Sequence, residues 1–291
     1  MDLRDFKESS NVEDRRSSRG GFGGGISMRS LFMLAPIIRM LLRTKFGWAI
    51  IAVGAFLYFS GVNPLAFVTG GSNGTSISST EKKEATFIKK VLKTTEDIWG
   101  QVLPKYGIRY QKPTLVLYRG HTTSGCGFAS AQMGPFYCPA DRKVYLDLGF
   151  FDELARRHNS PGDFAQAYVL AHEIGHHIQN MQGTLAKVQQ LQQRFGGGAK
   201  SNALQVRVEL QADCYSGVWA HYAQKYFKVL EPGDIQEALR AASSIGDDTL
   251  QKQSQGYIVP DSFTHGSSAQ RVEWFKRGFT SGDLRVCNTF R

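Results

Sequence analysis

The chain has 291 residues, 42% of them hydrophobic, and a formal net charge of +10. That is enough apolar material for one catalytic-size domain with accessory segments. The positive charge forms no long basic run and comes with no base-stacking motif, which argues against a nucleic-acid partner.

Residues 1–28 are polar, charged and glycine-rich, with the run Arg19-Gly-Gly-Phe-Gly-Gly-Gly25. They read as a disordered cytoplasmic tail. Residues 29–45 form a basic membrane-flanking segment carrying Arg29, Arg39, Arg43 and Lys45. Within it, Ser30 to Leu42 is apolar but interrupted by Pro36 and Arg39, and reads as an interfacial helix rather than a second span. Residues 46–68 contain no charge and are long enough to cross a bilayer as a helix, with Asn63-Pro64 near one end. A buried core helix is the plain alternative; a cleaved signal peptide is disfavoured by the late start and the lack of a clear cleavage site.

The positive flank of this span predicts a cytoplasmic N-terminus and an outer C-terminal part. The expectation is therefore a single-pass protein of a bacterial inner (cytoplasmic) membrane, with lipid as one partner and its main domain on the periplasmic, extracytoplasmic side. Residues 69–80 are a Gly/Ser/Thr linker, and residues 81–291 form the folded domain.

That domain opens with a helical pattern over 81–103, where Phe87, Val91, Ile98 and Val102 share one side. Thr114–Tyr118 and Lys143–Leu148 read as strands. The loop between them, Gly120 to Arg142, carries two cysteines and many glycines. After Phe150 the pattern is almost wholly helical. Strands followed by helices make an α+β layout. All four cysteines, Cys126, Cys138, Cys214 and Cys287, lie on the expected outer side, where an even count favours two disulfides. Cys126 and Cys138 flank a Gly/Pro-rich turn and are the preferred pair, leaving Cys214 with Cys287; four buried thiols are the alternative. No C-x-x-C pair occurs, so a cysteine zinc site is not expected.

The most informative stretch is His172-Glu173-Ile174-Gly175-His176. Two histidines four apart on a helix differ by about 40° in rotation and by one turn in height, so their imidazoles can meet on one Zn²⁺. Glu173 sits about 100° round, where it can take a proton from a zinc-bound water. H-E-x-x-H also arises by coincidence, but here its flanks support a helix. Phe164, Tyr168, Leu170, Ile174 and Ile178 recur at helical spacing, Asp163 is a candidate N-cap, and Gly183 a candidate stop. The third ligand expected of a catalytic zinc is Glu209. Asp213, four residues on, shares its face and is placed to hold the far nitrogen of a zinc histidine. The plain alternative for Glu209 and Asp213 is a solvated acidic face beside Arg207.

His172-Glu173-x-x-His176 with Glu209-x-x-Ala-Asp213 resembles the gluzincin group of zinc peptidases. The runs Ala171-His-Glu-Ile-Gly-His-His-Ile-Gln179 and Glu209-Leu-Gln-Ala-Asp-Cys-Tyr-Ser-Gly-Val-Trp219, with the N-terminal anchor, resemble the bacterial putative neutral zinc metallopeptidase family over most of the chain. The resemblance implies a zincin-like fold with His172, His176 and Glu209 on zinc and Glu173 as the base. In such folds an edge strand before the active helix pairs with the substrate backbone; residues 124–130 are the candidate. Some gluzincins carry a later His and Arg like those of Thr264-His265-Gly-Ser-Ser-Ala-Gln-Arg271, which gives His265 an oxyanion-binding role. Here Gly266 stands where a proline commonly follows. Ser267 as a plain helix cap, with His265 an ordinary loop residue, is the alternative.

His177 neighbours His176 but points about 100° away, and His121, His158 and His221 are isolated in sequence. The expected function is a membrane-anchored, zinc-dependent peptidase that hydrolyses peptide or protein substrates through a zinc-bound water with Glu173 as general base. The rivals are a membrane-tethered, zinc-stabilised binding or chaperone-like module without proteolytic activity, and a zinc hydrolase acting on amidated cell-wall material.

Overall fold

Ser78 begins the first helix among the described residues by accepting a hydrogen bond from the Glu81 backbone N–H at 3.1 Å. This helix, α1 (Ser79–Val102), buries Ile88, Val91, Leu92, Ile98, Trp99 and Val102. The expected helix over 81–103 is thus present and starts two residues earlier, inside the expected linker. The computed structural model describes residues 1–17, 77–157 and 161–290.

Beyond α1 come β2 (Thr114–Tyr118), β3 (His121–Ser124), β4 (Gly127–Ser130), β5 (Phe136–Cys138) and β6 (Lys143–Asp147), then α2 (Gly149–Arg157). They are preceded by β1 (Val12–Asp14). The main sheet has the order β1-β2-β6-β5. β1 and β6 run parallel to β2, whereas β5 runs antiparallel to β6 at one edge. Both expected strands, β2 and β6, are central and mostly buried, consistent with their apolar composition. Leu115, Leu117, Val144 and Leu146 join one core with residues of α1 and of the later helices. Those helices are α3 (Asp163–Met181), α4 (Thr184–Phe195), α5 (Ala199–Tyr222), α6 (Asp234–Ser244), α7 (Asp247–Gln255) and α8 (Ser268–Ser281). The α+β class holds: the chain is mostly helical with a small sheet.

Residues 124–130 do not form the sheet edge expected of them. They belong largely to the separate antiparallel hairpin β3–β4, and β5 is the edge strand. The Gly120–Arg142 loop contains three short strands; glycine-rich composition concealed them because pairing, not propensity, stabilises strands this short.

The expected disordered tail, residues 1–28, is corrected over residues 1–16, while residues 18–28 lie outside the described residues. Residues 1–16 are part of the same compact unit as residues 78–291. β1 pairs with β2, the Arg15 N–H donates to the Leu117 carbonyl at 2.7 Å, and Met1 and Leu3 are buried. Phe6 packs edge-on against Phe227 with ring centroids 5.2 Å apart. The Met1 ammonium lies 3.0 Å from Asp163 and 3.2 Å from Asp234. A composition window sees only a polar stretch; its few apolar residues are ordered by partners far away in sequence. The expected basic segment 29–45 and membrane span 46–68 lie outside the described residues. Among the described residues, no helix is long and apolar enough to cross a membrane.

Candidate metal centre

The centre is built where α3 and α5 cross closely. Gly175, the fourth residue of the His172–His176 motif, makes that approach possible: a Cβ there would lie 3.0 Å from the Ala212 Cα on α5. The start of α3 needs glycine too. Gly162 has φ 126°, and a side chain there would run into the Glu237 carboxylate. Glu237 instead accepts from the Phe164 N–H at 3.1 Å. The cap on α3 therefore comes from a distant residue, and Asp163, the candidate N-cap, is the first helical residue.

His172, His176 and Glu209 meet as the sequence suggests. Glu209 Oε2 lies 3.1 Å from His172 Nε2 and 3.4 Å from His176 Nε2. Donors about 2.0–2.1 Å from a zinc at tetrahedral corners stand roughly 3.3 Å apart, so this spacing fits a zinc ion at the centre of the group. A Glu173 oxygen and one ring nitrogen of each histidine lie within 4.8 Å of one another. Glu173 and Glu209 thus both lie against the histidine pair, Glu209 Oε2 in contact with each Nε2.

Both imidazoles are turned by their other nitrogen. His172 Nδ1 donates to Asp213 Oδ1 at 2.9 Å, and His176 Nδ1 donates to Gln179 Oε1 at 2.9 Å. This leaves the Nε2 atoms facing the centre. Asp213 is fully buried and further held by Tyr168, whose hydroxyl donates at 2.5 Å. Arg271 donates to both of its oxygens at 2.9 and 3.0 Å. Gln179 is fixed in turn by donating to the Val208 carbonyl at 2.7 Å and to Gln211 at 3.0 Å. The supporting shell is thus Asp213, Tyr168 and Arg271 behind one histidine, and Gln179 behind the other.

The electrostatics follow from burial. Burial opposes a charge on His172, but Asp213 and Glu209 outweigh it and raise its pKa to about 10. Burial raises Glu173, with the two histidines opposing. Burial would raise Asp213 as well, yet Arg271 and His172 pull it down to about 2. The same contest leaves Glu209 well below the usual carboxylate range, because His176 and His172 outweigh burial. The pocket therefore keeps two anionic carboxylates facing the histidines and one carboxyl, Glu173, more willing to hold a proton.

The centre opens into a cleft of about 720 Å³ lined by Met133, Phe136, Leu185, Gln189 and His265 as well as His172, Glu173, His176 and Glu209. His265 is half-exposed and its Nδ1 contacts Asp247 Oδ1 at 3.2 Å. Asp247 Oδ2 also accepts from the Thr264, His265 and Gly266 backbone N–H groups at 2.6–3.0 Å. Ser267 caps α8 as the plain alternative proposed, and His265 reaches the cleft as well. His177 faces away from the centre and tethers the edge strand: its Nε2 donates to the Gln111 carbonyl at 2.5 Å and its Nδ1 accepts from the Tyr137 hydroxyl at 3.0 Å.

Both preferred cysteine pairs are bonded, Cys126 to Cys138 and Cys214 to Cys287. The second ties α5, bearer of Glu209 and Asp213, to the chain's C-terminal stretch. Tyr168, Gln179 and Asp247 were missed from sequence. Tyr168 and Gln179 left a faint trace, four residues before His172 and three after His176, hence on their faces; Asp247 left none.

The sequence profile of a family described as "Putative neutral zinc metallopeptidase" matches residues 1–290. The chain belongs to this family. It is 50% identical over 289 residues to the uncharacterized protein YpfJ of Escherichia coli K12, covering 98% of this chain and 96% of that one. It is 44% identical over 207 residues to the uncharacterized protein Rv2575 of Mycobacterium tuberculosis H37Rv, covering 68% of this chain and 67% of that one. No solved structure matches the chain.

Proposed function

We propose that the protein is a zinc-dependent peptidase of gluzincin type with a zincin-like catalytic fold. The observation that carries this reading is the convergence of His172 Nε2, His176 Nε2 and Glu209 Oε2 at zinc-ligand spacing, with Glu173 beside them at the floor of an open cleft. Zinc, when bound by these three residues, acidifies water and polarises a carbonyl oxygen.

The chain's own groups do the rest. Glu173, whose buried carboxyl favours holding a proton, takes the proton of the attacking water and passes it to the leaving amine. His265, steadied by Asp247, donates a hydrogen bond to the oxyanion that develops on the scissile carbonyl. The exposed side of β5 supplies backbone groups on which an extended substrate aligns by strand addition. Residues 46–68 attach the protein to a bacterial cytoplasmic membrane with the catalytic unit on the extracytoplasmic face, a placement supported by the two disulfides.

Glu173→Gln tests the reading. The variant should bind zinc like the parent and lose about 10²–10⁴ of its rate on an unfolded protein substrate. Undiminished cleavage would remove Glu173 from the role of base. A parent enzyme that zinc stabilises but that cleaves neither protein nor cell-wall peptide would turn the reading to a zinc-stabilised binding module.

A further inference from the structure

Strands that precede and follow the apolar segment in sequence pair in one sheet. β1 (Val12–Asp14) lies before the segment and β2 (Thr114–Tyr118) after it, yet they are neighbouring parallel strands with Val12 opposite Leu115 and Asp14 opposite Leu117. The pairing is one part of a larger union. Ser9 Oγ and Asn11 Nδ2 donate to Glu96 Oε1 at 2.5 and 2.6 Å, and Glu96 is a buried carboxylate whose other partner is Lys112 at 3.2 Å. Arg16 is buried with Asp14 at 2.6 Å and the Glu81 carbonyl at 3.1 Å. Lys90 of α1 donates to the Leu3 and Arg4 carbonyls at 3.0 and 2.9 Å. Without residues 1–16, β2 would be an uncovered edge and Glu96 would keep one salt bridge in place of three partners.

A bilayer between these residues is incompatible with any of these contacts, because its hydrocarbon core is about 30 Å thick. A strand swap between two copies does not escape this. If each copy crossed once, every N-terminal segment would lie on the face opposite every catalytic unit. We infer that residues 1–16 lie on the same face of the membrane as the catalytic unit, so that the chain between them enters and leaves that face with no net crossing. The partner in this attachment is a lipid surface approached from one side. The expectation of a cytoplasmic N-terminus rested on the flanking charges Arg29, Arg39, Arg43 and Lys45; they compete here with a folded sheet.

The inference rests on the sheet and not on the zinc chemistry, though the face it names is the one proposed above. The test uses the full-length chain with Ser10→Cys or Lys252→Cys, both at exposed positions in the folded unit. Each variant is treated with a membrane-impermeant maleimide in intact cells whose outer barrier is opened, and again after lysis. Labelling of the folded, detergent-solubilised proteins first establishes that both thiols are reachable.

The expected result is the same ratio of labelling before and after lysis for both, close to one. Full labelling of Lys252→Cys with protection of Ser10→Cys until lysis would overturn the inference. Protection of both until lysis would sustain it while overturning the extracytoplasmic placement.

Discussion

Asp213 Oδ1 stands 2.9 Å from His172 Nδ1, and the same carboxylate takes two hydrogen bonds from Arg271. A buried anion is thereby paired on both sides, and the imidazole is fixed with Nε2 toward the centre. Asp213→Asn removes the charge that matches both neighbours. Zinc affinity should fall roughly 10–100-fold. The zinc-free protein should lose about 3–5 kcal/mol, since the Arg271 guanidinium is left buried without its counter-charge. Competition with a chelator and a thermal melt read the two effects; unchanged zinc affinity would deny Asp213 its orienting role.

Gly175→Ala sets two effects against each other. Alanine in a helix gains about 1 kcal/mol over glycine. The added methyl meets the Ala212 backbone at 3.0 Å, and forced overpacking of this kind costs about 1–3 kcal/mol. The clash should dominate, and it moves α5 away from α3, carrying Glu209 from the histidines. Zinc titration should show weaker binding even where the melting temperature changes little. Parent-like affinity would mean that the helices can part without disturbing Glu209.

Zinc loading should release protons. In the metal-free protein the His172 pKa is raised to about 10, against about 6.5 when unfolded. Its charged form stabilises the fold fully below about pH 6.5, and this contribution is lost as pH rises through about 10. At pH 7–8 zinc must displace that proton, so affinity rises with pH. Calorimetry in buffers of different ionisation enthalpy should report about one proton or more released per zinc, whereas none would contradict a charged His172.

Breaking the Cys214–Cys287 disulfide should loosen the helix that carries Glu209 and Asp213. The bond closes a separation of 73 residues, and loop-entropy arguments assign about 4 kcal/mol to a loop of this length. A Cys214→Ser, Cys287→Ser double variant should unfold at lower denaturant concentration by a comparable amount. It should also bind zinc more weakly, because Gln211, a partner of Gln179, donates to the Cys287 carbonyl at 3.0 Å. Stability equal to the parent's would make the bond incidental.

The sequence by itself determined the local parts of this protein. The spacing of His172, Glu173 and His176 is a property of one helix, and so is that of Glu209 and Asp213 on another. Their arrangement on each helix could therefore be read before any fold was known. The α1 helix, the strands β2 and β6 and the two cysteine pairs were legible for a similar reason, each being marked by periodicity, apolar runs or simple counting. Tertiary structure decided everything that depends on two distant segments meeting. Only the close crossing allowed by Gly175 brings Glu209 to the histidines; only the fold joins Asp213 to Tyr168 and Arg271 and makes β5, not residues 124–130, the edge beside the cleft. It decided most at the N-terminus. Residues 1–16 hold few apolar side chains and no periodicity, so nothing local marks them as folded. β2, Glu96 and Asp163 supply the partners that order them.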